Sequence, residues 1–114
     1  MGSMTIQEFR DECDADTARW FPDTKDNLPF HALALCGEAG EFGNIVKKVM
    51  RGSKSLDDFE TKEALEDEAA DVLIYLALAV NAGKLDLEAG YARKREFNER
   101  RFGSGARSDN RTSE

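Results

Sequence analysis

The sequence has very little histidine and cysteine, and each shortage excludes a class of site. His31 is the single histidine, so a di-iron bundle site, which needs Glu-x-x-His pairs, is excluded. Cys13 and Cys36 lack metal-ligand spacing, which predicts reduced thiols in a cytoplasmic protein. Long apolar runs are also missing. The run at 73–80 is far shorter than the roughly 20 residues that span a bilayer, so no membrane role is predicted.

Basic residues are fewer than acidic ones. The chain has 16 Lys and Arg against 23 Asp and Glu, a net charge of −7. Duplex nucleic-acid binding needs a basic footprint, so no duplex partner is predicted. The charge is uneven, with an acidic block at 60–71 and a basic block at 91–107. These blocks either meet at a site for metal and phosphate or form two solvated faces.

The two ends of the chain differ from its middle. Residues 1–3, ahead of a second methionine at Met4, are interpreted as an expression scar. Residues 103–114 are rich in Gly, Ser, Asp, Asn and Arg and predict a disordered tail. Residues 4–102 predict one helical domain. Its limited capacity for burial favours oligomerisation.

Every strong periodicity between those ends is helical. Along the second and third predicted helices, apolar residues recur at alternating spacings of four and three, a helix-packing pattern. No alternating strand pattern is present, so the fold class is all-α, a four-helix bundle. The predicted helices run from the capping box at Thr5 to about Trp20, from about Asn27 to Arg51, from about Lys62 to Ala82, and from Asp86 to about Phe102.

Two acidic pairs interrupt otherwise apolar helix lines. Glu38 and Glu41 lie on the second helix, and Glu68 and Asp71 lie on the third. Two carboxylates about 5 Å apart at an effective dielectric of about 20 repel by roughly 3 kcal/mol, so four of them beside a packed interface need a cation. Oxygen ligands without His or Cys favour Mg²⁺ or Mn²⁺ over Zn²⁺. The pairs therefore predict a magnesium site between the two helices.

Other residues are candidates for the remainder of a nucleotide site. On the fourth helix, one line of residues at helical spacing begins apolar and becomes polar. This change predicts that the polar residues reach a shared polar cavity. The alternative is a frayed last turn with solvated cations. Aromatic residues near the loop before the second helix are candidates for stacking on a base, although core packing is their commoner role. The polar candidates are Lys94, Asn98, Arg101 and, on the second helix, Lys48; the aromatic candidates are Trp20, Phe21 and Phe30.

Three ordered motifs resemble the MazG-like all-α nucleoside triphosphate pyrophosphohydrolases. They are Gly-Glu-Ala-Gly-Glu at 37–41, Glu-Ala-Ala-Asp-Val-Leu-Ile-Tyr-Leu at 68–76, and Lys94-x-x-x-Asn98-x-x-Arg101. The hallmark of that family is Glu-x-x-Glu followed, after a spacer, by Glu-x-x-Asp. Gly37 stands where many members carry another glutamate, a form found in the dCTP pyrophosphatase-like members. The number of metal ions stays open.

The resemblance implies a MazG-like fold and Mg²⁺-dependent hydrolysis of nucleoside or deoxynucleoside triphosphates to the monophosphate and pyrophosphate. Water would attack the α-phosphorus, and Glu41 is a candidate for orienting it. The implied metal ligands are Glu38, Glu41, Glu68 and Asp71, with Mn²⁺ as a substitute ion. The implied contacts to phosphate or sugar are Lys94, Asn98, Tyr75 and Arg101. Family members form dimers or tetramers, so a homodimer or homotetramer is expected, with Leu33, Leu73 and Val80 as interface candidates.

A second interpretation comes from a different class of protein. The chain could be a non-catalytic acidic helical module whose carboxylates bind a metal ion or a protein partner. The line of Lys94, Asn98 and Arg101 favours the enzyme, because a passive acidic module needs no phosphate ligands. The resemblance favours deoxynucleotides, especially dCTP, while dUTP and phosphoribosyl-ATP hydrolysis stay open.

Overall fold

The computed structural model describes residues 2–103, and all regular structure within them is helical, as predicted. No helix in this range is long and apolar enough to cross a membrane. The proposed scar at 1–3 is described except for Met1, and the predicted tail lies outside the described residues except for Gly103. The elements are α1 (Ile6–Trp20), a short 3-10 helix (Pro22–Thr24), α2 (Leu28–Met50), α3 (Phe59–Ala82) and α4 (Leu87–Phe102).

Side-chain caps fix the starts of three helices. The Thr5 hydroxyl accepts a hydrogen bond from the Glu8 amide, and the Glu8 carboxylate accepts one from the Thr5 amide. This reciprocal pair is the predicted capping box. Asn27 caps α2 and Asp86 caps α4 by a single bond each: the side-chain oxygen accepts from the amide of Phe30 or Ala89, respectively. The predicted starts of these three helices are therefore confirmed.

The start of α3 differs from the prediction. The helix begins at Phe59 rather than at Lys62, and its N-cap residue, Asp58, makes no side-chain capping bond. Thr61, in the first turn, is only 3% exposed. We attribute the earlier start to burial of Thr61, a tertiary effect that cap signals and apolar spacing do not reveal.

The packed part of the molecule is small. α2 and α3 form a helical hairpin, and α1 packs against α3. The core cluster consists of Cys13, Ala77 and Leu78, with Phe9 and Tyr75 packed against it. The hairpin brings one face of α2 against one face of α3. The predicted apolar line of α2 is only partly covered in one chain, because Leu28, Phe42 and Val46 stay at least 36% exposed.

The fourth helix is attached mainly at its beginning. The Arg10 guanidinium donates to Glu88 in the first turn of α4 and to the Asn81 side chain of α3. Residues 91–100 are exposed in this single chain. The prediction of four helices is confirmed, but α4 does not close a bundle and its polar line does not face inward within one chain. Periodicity identifies an apolar face without showing which element covers it.

The three interface candidates differ in exposure. Leu33 is 73% exposed and Leu73 is 51% exposed, so both are accessible. Val80 is only 6% exposed, and its selection as a spare apolar position was wrong. It lies in the buried end of α3, where four consecutive residues are buried. Helical spacing alone therefore could not show that Val80 is buried rather than exposed.

Candidate metal and nucleotide site

Three acidic side chains meet between α2 and α3. One oxygen from each of Glu38, Glu68 and Asp71 lies within 4.8 Å of the others, and all three residues are half-buried. Glu68 and Asp71 share a face of α3 because they lie three residues apart. Glu38 reaches them from α2. We call these three residues the carboxylate cluster; it contains three of the four predicted metal ligands.

Two members of the cluster, Glu68 and Asp71, have raised pKa values. Hydrogen bonding with Glu38, then burial, then the charges of Glu38, Asp71 and Glu41 raise the pKa of Glu68 above its usual value. Burial, followed by the charges of Glu38 and Asp67, raises the pKa of Asp71. Two carboxylates can hydrogen-bond only if one holds a proton. The cluster therefore favours binding either a proton or a cation.

The donor set fits a hard divalent cation. Glu68 Oε1 is inaccessible to solvent and has no hydrogen-bond partner among residues 2–103. None of the ion pairs within that range involves a member of the carboxylate cluster. Carboxylate oxygens are the ligands that Mg²⁺ and Mn²⁺ prefer. An unpartnered buried oxygen beside two further carboxylates distinguishes this group from ordinary solvated acidic pairs.

Glu41, the fourth predicted ligand, is not part of the three-residue group. Its side chain is exposed, although its charge contributes to the raised pKa of Glu68. Glu41 follows Glu38 by three residues on α2 and so lies on the same side of the helix. The structure thus places it beside the cluster, at its solvent-facing edge.

An aromatic cavity of about 300 Å³ adjoins the carboxylate cluster. Asp71 belongs to both, because it lines this cavity as well as contributing to the cluster. The cavity volume is at the lower end of the range for small-molecule sites, about 300–1,000 Å³. All three predicted stacking residues and Tyr75 line it. The complete lining is Cys13, Asp16, Thr17, Trp20, Phe21, Thr24, Phe30, His31, Asp71, Ile74, Tyr75 and Leu78.

Sequence reasoning missed four polar residues of the cavity wall, Asp16, Thr17, Thr24 and His31. Asp16 and Thr17 lie on α1 between Cys13 and Trp20, at helical spacing along one face. The signal that could have identified these two is the line of α1 residues from Cys13 to Trp20, in which polar residues occupy positions of a face that ends in an aromatic side chain. His31 is also in the wall, and its burial, with 1% exposure, follows from the loop that folds over it.

Buried polar contacts hold the cavity wall in place. His31 Nε2 lies 2.8 Å from the Thr24 carbonyl oxygen, which connects α2 to the preceding 3-10 helix. The rings of Phe30 and Tyr75 lie beside the imidazole, with centroids 5.3 Å and 6.1 Å away.

Burial, and then the charges of Asp16, Glu12 and Asp14, raise the pKa of the Cys13 thiol to about 11. Cys13 is therefore protonated near neutral pH and is a poor nucleophile.

The predicted phosphate contacts are not assembled around the carboxylate cluster. Lys94, Asn98 and Lys48 are exposed, and within residues 2–103 none forms a hydrogen bond or ion pair with the cluster. Lys94 Nζ instead lies 4.9 Å from the Phe97 ring centroid. The Arg101 guanidinium lies near the same ring, at 5.8 Å. In one chain, the aromatic and acidic candidates meet, whereas Lys48 on α2 and Lys94 on α4 stay at the surface.

The fold and site define an all-helical protein with an acidic cluster beside an aromatic cavity. No protein-family model matches the chain, and no solved structure matches it. Among curated proteins it is similar to the Gene 37 protein of Mycobacterium phage L5, with 33% identity over 76 residues. That alignment covers 67% of this chain and 65% of the phage protein, so the chain spans about two thirds of its relative's length.

Proposed function

We propose that this chain is a Mg²⁺-dependent, MazG-like enzyme that hydrolyses nucleoside or deoxynucleoside triphosphates to the monophosphate and pyrophosphate. The single observation that supports it most is the double role of Asp71, which belongs to the carboxylate cluster and lines the aromatic cavity. A nucleotide has the same two parts, a metal-binding phosphate chain and a flat base. The site offers complementary groups for both, side by side.

The residues divide the proposed task between them. Glu38, Glu68 and Asp71 supply oxygen ligands for Mg²⁺. The bound ion would neutralise phosphate charge and lower the pKa of a water molecule. Glu41, exposed at the edge of the cluster, accepts a proton from the attacking water and orients it toward the α-phosphorus. Trp20, Phe21, Phe30 and Tyr75 hold the base and exclude water from its faces.

Oligomerisation is part of the proposal. The exposed face of α4 includes Tyr91, 63% exposed, and Phe97, 39% exposed, and a single chain leaves both uncovered. A second copy covering this face would give α4 the burial that its apolar residues require, in a homodimer or homotetramer. Lys94 and Asn98 would then be enclosed beside those aromatics, where they could contact phosphate or sugar. Sedimentation equilibrium tests this part, and a monomer at all concentrations would contradict it.

The reaction is tested by pyrophosphate release from all canonical ribo- and deoxyribonucleoside triphosphates in the presence of Mg²⁺. We expect release from some of them by the natural sequence and loss of release in Glu68→Gln. Glu66→Gln is the matched control, because Glu66 is an exposed glutamate on the same helix. Equal activity in all three proteins would contradict the proposal. Mg²⁺ binding without release from any nucleotide would favour the non-catalytic metal-binding module.

A further inference from the structure

The segment between α1 and α2 forms one side of the aromatic cavity. It comprises residues 21–27 and contains the 3-10 helix, and we call it the strap. Phe21 and Thr24 line the cavity from the strap, and Trp20, the last residue of α1, lines it beside them. Trp20 is 60% exposed and Phe21 is 64% exposed, so neither ring is enclosed by packed side chains. The position of the Phe21 ring therefore depends on what holds the backbone of the strap.

Hydrogen bonds connect Phe21 to His31 through Thr24. The Phe21 carbonyl oxygen accepts from the Thr24 amide and from the Thr24 hydroxyl, each at 3.0 Å. The Thr24 carbonyl oxygen accepts from the Asn27 amide at 3.0 Å and lies 2.8 Å from His31 Nε2. A carbonyl oxygen only accepts, so Nε2 is the donor. His31 is 1% exposed, so this bond attaches the strap to a buried side chain of α2.

The ion pairs of the strap, in contrast, reach solvent. Lys25 Nζ lies 3.4 Å from Asp14 Oδ2 on α1, and each side chain is about one third exposed. Asp26 Oδ1 lies 3.8 Å from Lys84 Nζ, and both of these side chains are mostly exposed. Such pairs hold a segment weakly, because water screens the charges and the long side chains lose freedom. The bond from His31 is thus the contact best able to fix the strap.

Histidine is a costly residue for this buried position. Its Nδ1 is buried and has no hydrogen-bond partner among residues 2–103. A buried polar atom without a partner lowers stability, so an apolar ring of similar size would serve the packing as well. The neighbouring rings of Phe30 and Tyr75 could pack against such a ring, since they already lie beside the imidazole. What histidine adds is the hydrogen bond to Thr24.

We propose that His31 is a positioning residue, whose bond to Thr24 keeps Phe21 in the wall of the aromatic cavity and so strengthens the binding of a flat aromatic ligand. The inference rests on the proposed function for that ligand being the base of a nucleotide. It assigns His31 to binding and not to the reaction. A contact to the base is the same in the ground state and the transition state, so its loss raises KM and leaves kcat unchanged.

Three variants separate the hydrogen bond from the other properties of the residue. His31→Phe keeps a ring beside Phe30 and Tyr75 and cannot donate to Thr24. His31→Gln restores a donor, because its amide nitrogen lies the same number of bonds from the backbone as Nε2. Lys25→Met is the matched control, since it removes the ion pairs of the same strap and leaves the bond from His31. Circular dichroism shows whether each variant is folded.

The first measurement is hydrogen exchange followed by NMR, which needs no ligand. The amides of Thr24 and Asn27 donate within the strap, so their exchange reports its local opening. In His31→Phe both should exchange about 2- to 10-fold faster than in the natural sequence, the range for the loss of one hydrogen bond. The amide of Cys13, in the core, should keep its rate. His31→Gln and Lys25→Met should resemble the natural sequence throughout.

The second measurement is steady-state kinetics with the triphosphate that the natural sequence hydrolyses best. His31→Phe should raise KM about 2- to 10-fold and change kcat by less than about twofold. His31→Gln should recover most of the loss in KM, and Lys25→Met should match the natural sequence. A residue that only stabilised the fold would give neither this division between KM and kcat nor the rescue by glutamine.

Unchanged exchange at Thr24 and Asn27 in His31→Phe, an unchanged KM, or a fall in kcat at constant KM would each overturn the inference. If His31→Phe does not fold, ¹⁵N NMR of the natural sequence decides. A slowly exchanging proton on Nε2 supports the bond to Thr24, and a proton on Nδ1 alone overturns it. Hydrolysis of no triphosphate would reject the proposed function, and hydrogen exchange would then decide the positioning role by itself. Hydrolysis with an unchanged KM in His31→Phe would do the reverse.

Discussion

Glu38 of α2 and Glu68 of α3 meet across the helical hairpin, with one carboxylate oxygen of each within 4.8 Å of the other, although both are acids. One oxygen of Glu68 is buried without a partner among residues 2–103. Such a pair is stable only with a proton between the two carboxyls or with a cation beside them. In this arrangement of the hairpin, a bound metal ion would take the place of that proton.

The first prediction concerns stability and pH without metal. The pKa values of Glu68 and Asp71 are raised above the ordinary values of 4.5 and 3.8, so the folded state holds more protons than the unfolded state just above those values. Raising the pH through that window therefore lowers the free energy of unfolding. In EDTA, Tm should fall across this window, and Mg²⁺ should reverse the loss at neutral pH.

A variant isolates this effect from other titrating groups. Glu68→Gln removes one charge from the cluster and should be more stable than the natural sequence in EDTA at neutral pH, with the difference vanishing in acid. Glu66→Gln should follow the natural sequence throughout, since Glu66 is exposed. Thermal unfolding of the three proteins across pH measures it. A natural sequence that is the more stable at neutral pH in EDTA would refute the repulsion between Glu38 and Glu68.

The second prediction separates Glu41 from the carboxylate cluster. Glu41 is exposed and outside the group of three, so Glu41→Gln should lower kcat by on the order of 100-fold or more, the usual effect of losing a general base. Its Mg²⁺ affinity should change far less than that of Asp71→Asn. Calorimetric titration with Mg²⁺ and steady-state kinetics measure the two quantities. Equal loss of Mg²⁺ affinity in both variants would make Glu41 a metal ligand.

The third prediction concerns the two thiols. Cys13 is buried and its pKa is raised to about 11, whereas Cys36 is exposed. A thiol reagent at neutral pH should therefore modify Cys36 rapidly and Cys13 only after unfolding. Mass spectrometry of the labelled protein locates the modification. Rapid labelling of Cys13 in the native protein would show that the aromatic cavity wall opens far more than the structure indicates.

The fourth prediction concerns the attachment of α4. Arg10 is largely buried and pairs with Glu88, which is 40% exposed in its side chain. Because solvent screens the Glu88 end, the coupling energy between them should be about 0.5–1 kcal/mol. A double-mutant cycle of Arg10→Met and Glu88→Gln, followed by urea unfolding, measures it. A coupling energy near zero would mean that other contacts hold α4.

Helix positions were largely predictable because they depend on local chemistry. The caps at Thr5, Asn27 and Asp86 lie in the sequence beside the helices that they start. The start of α3 was not predictable, because burial of Thr61 is a tertiary effect. The position of α4 was also missed. Its apolar residues predicted a covered face, whereas residues 91–100 are exposed in one chain.

The candidate site was predictable where several residues share a helix face. Spacing placed Glu68 with Asp71, and the helical hairpin brought Glu38 to them. The aromatic residues near the loop were identified by type and position, and they do line the cavity. Asp16 and His31 were missed as lining residues because their positions depend on how α1 packs against α3 and how the 3-10 helix covers His31, a long-range arrangement that no local pattern contains.

The most direct test of the central claim is hydrolysis in ¹⁸O-labelled water, with dCTP as substrate and Mg²⁺ present. The account predicts that one ¹⁸O atom appears in the monophosphate and none in pyrophosphate, because water attacks the α-phosphorus. Glu68→Gln should give neither product above background, and Glu66→Gln should match the natural sequence. Label in pyrophosphate, release of single phosphate groups, or no hydrolysis of any triphosphate would contradict the account.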